Sequence, residues 1–156
     1  MSVRTLRALT VTAAAVALLS ACGQGEVRDE SGAIETGGDT NIFTIKGGDC
    51  FNDVSGSEIS EVPTVPCAEP HDNEVYGEYN FTGDDYPGDD VVAVQAKEQC
   101  VTQWEAFVGL PYEDSDLEVF PITPTEGSWG TGDRLVSCAI WDPAGLVTGT
   151  LAQAAR

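Results

Sequence analysis

The chain contains one histidine, and its neighbours are the first residues in which a reaction has to be considered. His71 lies in the stretch PCAEPHDNEV, between Cys67 and Glu74. A histidine next to a carboxylate can serve as an acid–base couple. If one strand runs through both residues, however, positions three apart face opposite sides of it, and only a turn would bring the two together. We therefore interpret His71 first as a structural residue that bonds backbone groups at a strand entrance.

A metal site around His71 is not favoured. Zinc requires three or four protein ligands, mostly histidine and cysteine, and this chain offers one histidine and thiols that we expect to be oxidised. Calcium prefers clustered oxygen ligands, which Asp114, Asp116 and Glu118 superficially provide. The position that should be glycine in a calcium loop is Val119, and Thr125 stands where the last glutamate belongs. We predict no metal and no cofactor.

A second polar group lies in WGTGDR, where Trp129 is followed by Asp133 and Arg134. An aspartate and an arginine entering a strand predict an ion pair, and the guanidinium could also clamp a carboxylate such as Asp49 or Glu74. The functional alternative makes Trp129 an exposed anchor for a partner or ligand. No nucleophile motif such as G-x-S-x-G or S-x-x-K accompanies these residues, so the sequence predicts no catalytic residue.

The N-terminus predicts export and a lipid anchor. Residues 1–21 carry Arg4 and Arg7 followed by the apolar run LTVTAAAVALLSA, which is typical of a secretory signal. The run ends in Leu-Ser-Ala-Cys, which is similar to the bacterial lipobox and implies lipidation of Cys22. We expect a lipoprotein held at the extracytoplasmic face of the cell membrane through acyl chains on Cys22.

The cysteine count fits this interpretation. The chain has five cysteines, and lipidation of one leaves an even number for two disulfides, which three pairings would satisfy. Cys100 lies on the apolar stripe of a predicted helix, and Cys138 shares a strand face with Val136 and Ile140. A helix that covers this face would bring those two sulfurs together. The favoured pairs are thus Cys100–Cys138 and Cys50–Cys67.

The charge balance restricts the partners. All 26 acidic residues follow Cys22, where there are only five basic residues, so this part has a formal charge of −21 (five minus 26). Such a surface repels nucleic acid and anionic lipid headgroups, so the membrane anchor has to be the lipid itself. Solubility explains much of the acidity, and a cationic partner or diffuse binding of divalent cations is the alternative.

Composition and periodicity divide the rest of the chain in two. Residues 22–41 have almost no large apolar side chains and predict a flexible acidic tether. Residues 42–156 predict one α+β domain, a small, mainly antiparallel sheet with one main helix packed on it and two disulfides. The helix is expected from about residue 91 to residue 108, with Asp89 or Asp90 as its cap. EVPTVPC is expected at a sheet edge because of its prolines, RLVSCAIWD in the centre, and GLVTGTLA as a closing strand.

Several of these segments together resemble one family. GDCFND, VPTVPCAEPHDNEVYG, PTEGSWGTGDRLVSCAI and TGTL are similar to the septum formation-related domain of actinobacterial membrane proteins and lipoproteins, over residues 47–151. The resemblance implies an extracytoplasmic domain without an established enzymatic activity, and it suggests a link to division septa.

Three hypotheses follow from the sequence. The first is a non-enzymatic interaction module of the cell envelope that binds envelope or division proteins through Trp129 and the segment 70–74. The second is a lipoprotein that senses a small ligand or a divalent cation through its acidic loops. The third is an envelope hydrolase with His71 and Glu74 as acid and base.

Overall fold

The computed structural model describes residues 25–56 and 59–156, and the predicted signal segment and Cys22 lie outside them. Two helices are present, α1 (Asp89–Val108) and the short α2 (Glu126–Trp129), with one 3-10 turn at Tyr112–Asp114. The strands, in chain order, are β1 (Val27–Arg28), β2 (Ile34–Thr36), β3 (Gly38–Asn41), β4 (Cys50–Phe51), β5 (Glu61–Val65), β6 (Asn73–Asn80), β7 (Glu118–Ile122) and β8 (Leu135–Trp141).

Six strands form one antiparallel sheet in the order β3-β5-β4-β6-β8-β7, and β1 pairs with β2 beside it. The α+β prediction is confirmed, and β8 lies inside the sheet as its apolar faces indicated. The edge position predicted for β5 is wrong, since β5 lies between β3 and β4. Pro63 is tolerated because β4 pairs only with Thr64 and Val65. Pro63 itself only has to accept a hydrogen bond, from the Asn52 N–H at 2.9 Å.

The helix α1 covers one face of β6, β8 and β7. Its buried stripe recurs every three to four residues, as an amphipathic helix requires, and consists of Val92, Ala96, Cys100, Trp104 and Val108. Gly88 is the N-cap, and Asp89 and Asp90 lie in the first turn without a side-chain cap. The predicted aspartate cap is therefore wrong, although both charges still lie at the positive end of the helix dipole. Gly109 ends the helix in the left-handed conformation, with φ of 84°.

Both favoured disulfides are present. Cys100 of α1 is bonded to Cys138 of β8, with 5.4 Å between the Cα atoms, and Cys50 of β4 is bonded to Cys67 just beyond β5. The first joins the helix to the sheet, and the second joins two neighbouring strands. As expected for the Cys100–Cys138 pair, Val136, Cys138 and Ile140 face α1.

The segment predicted as a flexible tether is folded over its described part. Residues 27–41 form β1, β2 and β3, and β3 pairs with β5 over four residues. The buried hydroxyl groups of Thr40 and Thr64 lie 2.7 Å apart across these strands. This segment is held by backbone pairing and polar contacts rather than by apolar side chains, so its composition concealed it. Within the described residues, regular structure is already present at residue 27, ahead of the expected domain start at residue 42.

Arg28 fastens this segment to the sheet. Its guanidinium donates two hydrogen bonds to the carboxylate of Asp49, at 2.6 and 2.9 Å, and a third to the carbonyl oxygen of Gly32. Asp49 is almost fully buried and also accepts the Lys46 N–H. The hydrogen bonds that Arg28 donates to Asp49 raise the pKa of Arg28, against the opposing effect of partial burial. A buried carboxylate thus has its charge matched by the one arginine of the N-terminal segment.

We expect Arg28→Gln to destabilise the domain by at least about 2 kcal/mol, because it leaves the buried Asp49 charge without its counter-ion. Lys46→Gln removes the same charge from an exposed side chain and is the matched control. Chemical denaturation at pH 7 measures both. An Arg28→Gln protein as stable as the control would contradict this role of the ion pair.

Candidate functional site

His71 is fully buried and forms part of the backbone framework. Its N–H and carbonyl group exchange hydrogen bonds of 3.0 Å with Val147, which forms an isolated antiparallel bridge. The ring Nδ1 lies 2.8 Å from the carbonyl oxygen of Glu69 and must carry a proton, because a carbonyl oxygen only accepts. The other ring nitrogen is buried and has no hydrogen-bond partner among the described residues. The ring is thus directed into the protein and not towards a substrate.

Glu74 is also buried, and it binds the same C-terminal segment. One carboxylate oxygen accepts the Thr150 hydroxyl group at 2.5 Å, and the other accepts the Leu151 N–H at 2.6 Å. Neutral donors therefore compensate for the burial of this charge. The structure brings His71 and Glu74 to one segment, Val147–Leu151, where both hold the chain in place. We call these two residues and that segment the C-terminal latch.

The structure differs from the sequence-based prediction for the C-terminal segment. The closing strand predicted for GLVTGTLA reduces to the bridge at Val147, because Gly145 and Gly149 adopt positive φ angles of 128° and 88° that interrupt an extended strand.

The pairing of β6 with β8 shifts register between Val75 and Gly77, and the β-bulge there contains Tyr76. Val75 and Tyr79 consequently face opposite sides of the sheet, although the alternation in the sequence placed them on one side.

Trp129 and Arg134 form a structural cluster and not an exposed anchor. Trp129 is only 4% exposed, and its indole N–H donates to the carbonyl oxygen of Asp84. The guanidinium of Arg134 stacks on the indole ring, 3.8 Å from the ring centre, and donates to carbonyl oxygens of residues 83, 84, 129 and 133. The predicted ion pair with Asp133 is absent, since Asp133 accepts the Leu135 N–H instead. The carboxylate of Asp49, for which Arg134 was a candidate, is bound by Arg28.

The acidic residues considered for calcium do not converge. Glu118 accepts the Tyr112 hydroxyl group at 2.6 Å, which helps raise the pKa of Tyr112 to about 12 after the larger effect of burial. In residues 25–56 and 59–156, one group of three potential metal-ligating side chains lies close together, and it consists of Cys50, Cys67 and Glu74. Both of these cysteines are in a disulfide, so they offer no thiolate, and Glu74 is already bound to the latch.

The sheet face opposite α1 carries the feature that sequence reasoning missed. Phe120 of β7 pairs in register with Ala139, and Trp141 of β8 pairs with Asn73. Phe120 is 47% exposed and Trp141 is 39% exposed. With Asp53, Val54, Ile59 and Asn73 they line a groove of about 350 Å³. We call this the open-face groove. Alternation in LEVFPI does place Phe120 opposite Val119, but the sequence does not indicate which face the helix covers.

Comparison with known proteins assigns the family. A family model described as "Septum formation" matches residues 18–152, which is most of the chain. The chain therefore belongs to the septum formation family, as its motifs indicated. A search of curated proteins and one of solved structures return no significant match. In the described ranges, no helix is both long enough and apolar enough to cross a bilayer.

We expect Glu74→Ala to release the C-terminal latch, since it leaves the Leu151 N–H and the Thr150 hydroxyl group without their acceptor. Hydrogen exchange of the amides of Val147 and Leu151 should become at least about tenfold faster, with the helix amides little affected. Glu78→Ala, on the exposed part of the same strand, is the control. Equal exchange at these amides in both variants would show that Glu74 does not hold the segment.

The ion pair at the C-terminus predicts a pH dependence. Burial alone raises the pKa of Asp142, but the Ala144 N–H and the Arg156 guanidinium together hold it below its ordinary value of 3.8. Its contribution to stability is therefore complete above pH 3.8 and is lost as the pH falls through the lower pKa of the folded state.

Asp142→Asn keeps the acceptor for Ala144 and removes the charge. We expect the wild type to be more stable at pH 7 by less than about 1 kcal/mol, because Arg156 is half exposed. Thermal melts from pH 7 to about pH 2.5 should show this difference vanish at the acidic end. A difference that stays constant over the whole range would contradict the assignment.

Proposed function

We propose that this member of the septum formation family is a lipid-anchored, non-enzymatic interaction module on the outer face of the cytoplasmic membrane. Its family description supports a role connected with septum formation. The proposal joins two independent arguments, one on the surface that the folded domain presents and one on the anchor expected at Cys22.

One observation carries the interaction role. The open-face groove exposes Phe120 and Trp141 on a face that α1 does not cover, whereas the side chains suited to acid–base chemistry, His71 and Glu74, are buried in the C-terminal latch. Exposed aromatic residues that lie together are typical of binding surfaces. The face expected around Trp129 is replaced by the open-face groove, because Trp129 lies in the core.

The short spacing between Cys22 and β1 limits how far the domain can lie from the membrane. Only residues 23–26 separate Cys22 from β1, and the Arg28–Asp49 ion pair holds β1 on the domain. Five extended residues span at most about 17 Å, so a domain anchored at Cys22 lies next to the lipid headgroups and not at the end of a long tether. Partners of such a domain would be membrane proteins or peptides close to the bilayer surface.

A single whole-cell experiment tests both parts. A photo-reactive phenylalanine analogue is placed at position 120, or at the exposed Val94 or Leu146, and cells are irradiated and fractionated. We expect the protein in the membrane fraction, with crosslinks to envelope proteins. Cys22→Ala should move it out of that fraction, while Ala21→Gly, which keeps a small residue before the cysteine, should not.

Each part has its own contrary outcome. A Cys22→Ala protein that still fractionates with membranes contradicts the lipid anchor. If none of the three exposed positions gives a crosslink, the interaction module is contradicted, whatever the location of the protein.

A further inference from the structure

The open-face groove is longer than the part that Trp141 lines. A second hollow of about 250 Å³ adjoins the first, and the two share Asp53, Val54, Ile59 and Phe120. The second hollow continues along β7 to Thr123. Phe120 therefore lies between two apolar hollows on one sheet face. This arrangement suits two large side chains from one extended segment, because side chains two residues apart lie on the same side of an extended chain.

The charges around the groove are of one sign. Asp53 lines both hollows, Asp72 accepts the Asp53 N–H at 2.9 Å, and Glu118 shares the sheet face with Phe120. Among the residues that the structure describes, no lysine or arginine lines either hollow. Four of the five cations of the described part are bound elsewhere: Arg28 and Arg156 pair with Asp49 and Asp142, Arg134 stacks on the Trp129 ring, and Lys97 lies over the Tyr112 ring. The groove thus combines apolar hollows with carboxylates that accept hydrogen bonds from neutral donors and form no ion pair among the described residues.

This combination selects one class of occupant. A second copy of the chain carries 26 acidic residues and would be repelled by the carboxylates at this face, and an anionic lipid surface would be repelled in the same way. A basic segment with apolar side chains gains from both the hollows and the carboxylates. Pro121 has no N–H to offer at the edge of the sheet, so recognition depends on side chains rather than on an added strand.

We propose that the open-face groove binds an extended basic segment of a partner protein, in which large apolar side chains alternate with lysine or arginine. The two hollows take two apolar side chains on either side of Phe120, and the negative charges of Asp53, Asp72 and Glu118 attract the basic segment as a whole. This assignment rests on the proposed function and names the chemistry of the partner.

The test uses the tryptophan that the groove exposes. Trp104 and Trp129 are buried, so Trp141 reports binding at this site through its fluorescence. The full chain in phosphatidylcholine nanodiscs is titrated with a nine-residue peptide in which leucine alternates with lysine, and empty nanodiscs provide the blank. We expect a saturable blue shift that weakens as salt is raised. Peptides in which glutamate replaces lysine, or serine replaces leucine, should bind at least about tenfold more weakly.

Variants locate the site. Phe120→Ser should weaken binding about tenfold, since it removes the side chain between the two hollows. Asp53→Asn should weaken it less and reduce its salt dependence. Val94→Ser, on the exposed side of α1, is the matched control and should leave binding unchanged.

Several results would overturn the assignment. They are equal binding of the glutamate or serine peptide, equal loss in Val94→Ser and Phe120→Ser, a blue shift produced by raising the protein concentration alone, and a blue shift produced by phosphatidylglycerol vesicles without peptide. If the peptide fails to bind but crosslinks in cells arise from position 94 or 146, the groove assignment falls and the interaction module stands. If no position gives crosslinks, the proposed function falls as well.

Discussion

The attachment of α1 to β6 and β8 is the contact on which the rest of the molecule depends. The Cys100–Cys138 disulfide joins the buried stripe of the helix to the sheet, and Tyr76 packs edge-on against Trp104 beside it while donating to the Cys100 carbonyl oxygen. Burial raises the pKa of Tyr76, so this phenol stays protonated. Since one face of the sheet is committed to the helix, the other face is the one that can present apolar side chains to a partner.

Two buried carboxylates extend this framework to the ends of the domain. Asp49 receives Arg28 from the N-terminal segment, and Glu74 receives Thr150 and Leu151 from the C-terminal one. Both lie on the paired strands β4 and β6 or directly next to them, because Glu74 is in register with Cys50. Both residues are at most 2% exposed, and their carboxylates accept hydrogen bonds inside the fold. Glu74, which the sequence offered as half of an acid–base couple, thus holds the C-terminal segment.

The sequence predicted the parts of this structure that depend on apolar periodicity and missed those that depend on polar contacts. The middle of the α1 stripe at Ala96, Cys100 and Trp104, the central position of β8 and the Cys100–Cys138 disulfide follow from spacing, since burial imposes it. The Cys50–Cys67 disulfide follows as the remaining pair. The strands within residues 27–41 do not, because their attachment relies on Arg28, Asp49 and a buried threonine pair that no local pattern reveals. The bulge at Tyr76 shifts one side chain and cannot be recognised from alternation alone. Of the site, the sequence supplied the alternation that exposes Phe120 but not the face that stays uncovered, which is a property of the tertiary packing.

If the domain is anchored through Cys22 as proposed, the Cys50–Cys67 bond has a mechanical consequence. Tension applied there falls first on the bidentate contact of Arg28, and its rupture would let residues 27–49 peel away, which lengthens the chain by roughly 75 Å. Unfolding from this end would then stop at Cys50, because Cys50 is disulfide-bonded to Cys67 and paired with β6. The disulfide would protect the part of the chain from Cys50 onward, which includes β4, β6, β8 and α1. Phe120 and Trp141 also lie in this part. The first part of the domain would therefore extend under load and take Ile42 out of the second hollow, while Phe120 and Trp141 would keep their places in the sheet.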